Sequence, residues 1–103
     1  MKPMLVRTIA AASQSRKAAH RIISWACLGS IESISSGESS TKDAVVDLFT
    51  EDNYMELKRH RMNKSLTECF KIGLGIEDKR VAELKEALVL MRSLIQKSLN
   101  EQR

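Results

Sequence analysis

KRVAELKEALVLMRSLIQKSLNE, residues 79–101, is the stretch whose reading decides the fold class. Leu84, Leu88, Met91, Ile95 and Leu99 recur at steps of four and three, which stacks their side chains on one face of a helix. Ala87, Leu90 and Leu94 widen that stripe, while Lys85, Glu86, Arg92 and Gln96 fall off its centre. The apolar face is broad enough for a bundle core. Glu77 and Asp78 precede it, and Arg92, Lys97 and Arg103 lie toward its far end. Each sign suits the helix dipole. Such a helix runs roughly 35 Å, longer than the roughly 26 Å across a domain of this size, so it forms the backbone of the bundle or overhangs it.

Working outward, a second long helix is predicted from Ser15 to Ser35 or Ser36. Ala19, Ile23, Ala26, Cys27, Ile31 and Ile34 form its stripe, broadened by Ile22, Trp25 and Leu28. Gly37 follows the end, where a left-handed backbone suits glycine. Gly29 lies inside the helix, and the expected reason is close approach of another helix beside Trp25. Ser39, Ser40 and Thr41 offer an N-cap, and Ser40 with Asp43 has capping spacing. The helix they introduce, 42–49, should bury Val45, Val46, Leu48 and Phe49. Another begins at Thr50, Glu51 and Asp52 and ends in Lys58-Arg59-His60-Arg61. Asn63 caps a segment over 64–74 with Leu66, Cys69, Phe70 and Leu74 inward, closed by Gly73 and Gly75.

The chain of 103 residues is expected to make one all-α domain of four to five helices, the two long ones near antiparallel with the short ones packed across. Aromatics are only 4% of the residues, so Leu, Ile, Val, Met and Ala must fill the core. The expected core is Ile23, Ala26, Ile31, Ile34, Val45, Leu48, Phe49, Leu57, Leu66, Phe70, Leu84, Leu88, Met91 and Ile95. Residues 1–14 read as a flexible basic arm, leaving 15–103 as the helical domain.

LGSIESISSGESSTKDAVVDLF (28–49) followed by FKIGLGIEDKRVAEL (70–84) resembles a family of small bacterial helical proteins known only as a domain of unknown function. The shared shape is a helix ending in L-G-x-I-E-S-I-x-x-G, a short helix, and an acidic connection into a final helix. The resemblance spans about residues 22–97. It implies a helical fold and a bacterial origin, and no activity.

Chemistry-bearing patterns are sparse. His20 and His60 lie in different helices and share no close spacing with Cys27 or Cys69, so no zinc motif forms. The two cysteines read as buried, reduced thiols acting as small hydrophobes, without a C-x-x-C pair. Glu51-Asp52 and Glu77-Asp78 are adjacent pairs at helix starts, which serve the dipole better than acid–base chemistry. Gly73-Leu74-Gly75 lacks the lysine and preceding strand of a phosphate loop. No catalytic residue, metal ligand or cofactor site is expected.

Charge is uneven. Residues 1–31 carry five bases and no acid, while the rest carry twelve bases against thirteen acids. No stretch approaches the ~20 apolar residues of a membrane span and no secretory signal is apparent, so a cytoplasmic location and no membrane partner are expected. Two functional expectations follow. The first is a non-enzymatic interaction protein, self-associating as a dimer or binding a protein partner through Val81, Val89, Leu90 and Leu94, whose apolar surface exceeds what one small core needs. The alternative is nucleic-acid binding through the basic N-terminus, with Arg16, Lys17 and Arg21, and through Lys58, Arg59, Arg61 and Lys64. Against a helix-turn-helix docking mode stand Glu51, Asp52 and Glu56, whose charge would repel phosphates.

Overall fold

Short polar side chains start four of the helices. In a computed structural model, which describes residues 5–12, 15–38 and 40–101, Ser15, Ser40, Thr50 and Asn63 accept hydrogen bonds from the amides of Ala18, Asp43, Asn53 and Leu66 at 2.9–3.1 Å. These bonds satisfy donors that a first helical turn leaves orphaned. Among the described residues the elements are α1 (Leu5–Ala12), α2 (Arg16–Ser35), α3 (Thr41–Asp47), α4 (Glu51–Arg59), α5 (Lys64–Gly73), a 3₁₀ turn at Ile76–Asp78, and α6 (Val81–Asn100). The architecture is an all-α bundle. Lys2, Ser39, Arg103 and the side chain of Val46 lie outside what is described.

Two helices end in the same way. After α2, Gly37 takes φ +82°, its amide donates to Ile34, and the Glu38 amide donates to Ser33. After α4, Arg61 takes φ +52°, its amide donates to Lys58, and the Met62 amide donates to Leu57. Both are Schellman closures, and the buried pair Leu57 and Met62 supplies the apolar contact that accompanies the second. Glycine takes up the left-handed backbone readily, whereas arginine does so against a steric penalty.

α2 and α6 are antiparallel, as their cross-contacts show. Ser24 meets Ser98 at 3.3 Å, and further along α2 the Arg92 guanidinium bonds Glu32 at 2.6 Å and Ser35 at 3.3 Å. Numbers rise on one helix as they fall on the other. The core between them and the short helices includes Ile23, Ile31, Ile34, Leu48, Phe49, Leu57, Leu66, Phe70, Leu88, Met91 and Ile95, all buried as expected. Ala26, Val45, Leu74 and Leu84 are half-buried at its margin. Phe49 and Phe70 meet edge to face at 5.3 Å between ring centroids. The twenty residues of α6 span about 30 Å and fit within the longest dimension of 38 Å.

Three expectations change. Residues 5–12 are helical, where a flexible arm was expected. Val6 is fully buried, and the Asn53 side chain caps the Val6 amide at 3.2 Å from another helix. The arm's own sequence shows no cap, because the cap comes from 47 residues away. Trp25 and Ile22 point outward, at 55% and 41% exposure, since the inward arc of α2 is already filled by Ile23, Cys27 and Ile31. Gly29, finally, has nothing beyond its own helical turn within 4 Å of where a Cβ would lie; it borders an open groove shared with Asp43, Ala44 and Asp47 of α3 and is in contact with none of their atoms at that point. Gly29→Ala is therefore expected to stabilise the domain by about 0.5–1 kcal/mol, through helix propensity alone. A urea titration checks this; a loss of stability would mean that something packs there.

Candidate functional site

A chain of interior polar groups runs from His20 through Asn63 to Ser98 and Ser24. His20, 2% exposed on α2, accepts the Asn63 amide hydrogen at Nε2 over 2.7 Å. Asn63 in turn donates through Nδ2 to the Ser98 hydroxyl at 3.1 Å, and Ser98 touches Ser24. This chain of bonds pins the α4–α5 junction to both long helices. Because Nε2 must keep its lone pair to accept, the neutral ring carries its proton on Nδ1, which is buried with no partner among the described residues. Among the described residues no hydroxyl or thiol bonds either ring nitrogen of His20.

Burial, and then the nearby Arg16 charge, lower the His20 pKa below its ordinary 6.5; Glu101 opposes them. The unfolded chain therefore binds a proton at pH values where the folded chain does not, and stability falls as pH drops below 6.5. The parent is expected to lose more stability than His20→Gln between about pH 7.5 and 5.5, measured by urea midpoints. Equal losses would remove His20 as the cause.

Cys27 and Cys69 are free and buried, and their Sγ atoms lie 3.3 Å apart across α2 and α5. Burial raises the Cys27 pKa well above the usual thiol value, and the Cys69 partner raises it further. His60 stands at the end of α4 with Nε2 3.3 Å from Glu56 on the preceding turn. Among the described residues no three His, Cys, Asp or Glu gather as metal ligands would, and no helix is long and apolar enough to cross a membrane.

Arg16, Lys17, Arg21, Lys58, Arg59, Arg61 and Lys64 are all exposed. The His20–Asn63 bond brings the first turns of α2 to the 61–64 segment, so parts of the two basic stretches share one end of the bundle. Several of these cations are engaged. Arg59 reaches Glu56 at 3.5 Å, Lys58 lies over Tyr54 at 5.4 Å, and Arg21 lies over Trp25 at 5.9 Å. Glu101, bonded by Ser65 at 3.4 Å, adds an acid at the same end.

The α6 residues divide by helical position. Leu94 is half-buried against the core, while Val81, Val89 and Leu90 are 73%, 62% and 52% exposed. Val89 and Leu90 lie on the solvent side because Leu88 and Met91 already occupy the inward arc. They floor an open groove of about 480 Å³ with Lys85, Glu86 and Ser93. A second groove of about 290 Å³ shares Lys85 and Val89 and reaches Ser35 at the end of α2. Val89 and Leu90 thus form an exposed apolar strip along the outer face of α6. Compared with protein-family models, curated proteins and solved structures, the chain matches none of them.

Proposed function

We propose that this chain is a non-catalytic interaction protein that pairs with a second copy of itself through the outer face of α6. The observation that carries the reading is the exposed Val89–Leu90 pair, set between two grooves on a helix whose other face is committed to the core. Charge supports self-pairing. Glu86, Leu90, Ser93 and Lys97 follow one another at steps of four, three and four, so they share one face. When two such helices run antiparallel about a two-fold axis, Glu86 of each meets Lys97 of the other while the two Leu90 side chains lie within one turn. The same patch then serves both copies, as an isologous interface requires.

The test is sedimentation of the parent and Leu90→Asp over low to high micromolar concentration. The parent is expected to pass from monomer to dimer, and the variant to dissociate at least about tenfold more readily. Its helix content should be unchanged, because residue 90 faces away from the core. A parent that stays monomeric throughout would end the self-pairing reading.

A second reading, nucleic-acid binding, draws support from the basic segments that the His20–Asn63 bond brings to one end. It requires affinity that falls steeply as salt rises. No binding of RNA or DNA at low salt would remove it.

A further inference from the structure

The central thiol pair does something the rest of the core does not. Cys27 is the middle of the inward arc of α2, and Cys69 faces it from α5, 42 residues away in sequence. Both are fully buried, and each thiol's only hydrogen-bond partner among the described residues is the other. We propose that Cys27 and Cys69 are a reversible cross-linking site, closing a disulfide between α2 and α5 by exchange with a small disulfide such as oxidised glutathione.

The geometry needs little change. The sulfurs must approach from 3.3 Å to a bond length of about 2.0 Å, which side-chain rotation and a small shift of either helix can supply. The bond also replaces two weak S–H donors with an apolar link in an apolar setting, so no buried group is orphaned. In the first step one cysteine thiolate attacks a glutathione sulfur, its proton having left to solvent, and forms a mixed disulfide as one glutathione thiolate departs. The second cysteine, likewise deprotonated, then displaces the remaining glutathione. Two protein thiols are oxidised, one disulfide is reduced to two thiols, and the two protons end on the released glutathione.

Access sets the timing. A thiol held neutral inside the core neither attacks nor is attacked, so exchange waits for α5 or α2 to open, or for folding itself. Once closed, the link is shielded from reductant by the same core. It therefore acts as a latch on the folded domain, set by the thiol balance during folding rather than by brief oxidation afterwards.

The experiment refolds the full chain from denaturant in an oxidising glutathione buffer and compares it with chain oxidised in the folded state. The expected product has lost the mass of two hydrogens, shows no free thiol after denaturation, and yields a peptide joining residues 27 and 69. It melts about 10 °C or more above the reduced chain, and reductant applied in denaturant reverses the change. Folded, reduced chain should convert far more slowly. Cys69→Ala, refolded alongside, should show no intramolecular loss of hydrogens. The proposal is overturned if both thiols stay free after oxidative refolding, if the products are glutathione adducts or linked dimers, or if the cross-linked form melts below the reduced one.

Discussion

Phe49→Ala is expected to destabilise the domain by about 3–5 kcal/mol, enough to unfold much of a chain this size. Phe49 is fully buried two residues past the end of α3, stacks edge-on against Phe70, and lies directly over Gly73. A Cβ at position 73 would fall 2.5 Å from Cγ of that ring and 3.0 Å from its Cβ, atoms too near the backbone to swing aside. Gly73 is thus a floor for the ring as well as the end of α5. Gly73→Ala should cost about 1–3 kcal/mol in the parent. With Phe49 already reduced to alanine, the same change meets open space, and its cost should vanish or reverse. Urea unfolding of the four chains forms the cycle; additive effects would mean that ring and glycine do not touch.

Asn53→Leu is the second large effect, at about 1–3 kcal/mol. Asn53 is fully buried, donating to the Leu48 carbonyl at 2.9 Å and accepting from the Val6 amide at 3.2 Å. Leucine keeps the volume and leaves the buried Val6 amide without its cap, while the Leu48 carbonyl keeps only the Thr50 amide at 2.9 Å. The loss should be uneven: hydrogen exchange should speed up across α1 before it does in α6, because α1 loses its cap. Uniform acceleration would mean that α1 is held by its apolar contacts alone.

These two residues mark where the sequence stops being readable. The Leu and Ile spacing of 79–101 announces α6 and its inward face, since periodicity along one helix is local information. Ser15, Ser40, Thr50 and Asn63 announce helix starts for the same reason, their bonds reaching only three residues ahead. Asn53 gave no such sign. A polar residue in the first turn of a helix reads as solvent-facing, and its partners at 6 and 48 become visible only once the chain has folded. Trp25 failed in the opposite sense, because hydrophobicity suggested burial on an arc that smaller residues had filled. The thiol pair was legible as two buried cysteines but not as a contact, since a separation of 42 residues carries no pattern. At the candidate interface, Val81, Val89 and Leu90 were readable as surplus apolar surface, whereas Leu94 turned partly inward.

The proposed self-pairing rests on the outer strip of α6, where exposed Val89 and Leu90 lie beside Glu86 and Lys97 on the same helix. The measurement that tests this most directly is a concentration series of amide resonances of the full chain. Self-pairing predicts shifts that grow with concentration at Glu86, Val89, Leu90, Ser93 and Lys97 and stay small at Asp43, Asp47, Arg61 and Lys64. Spectra that do not change with concentration, or changes centred away from α6, would contradict it.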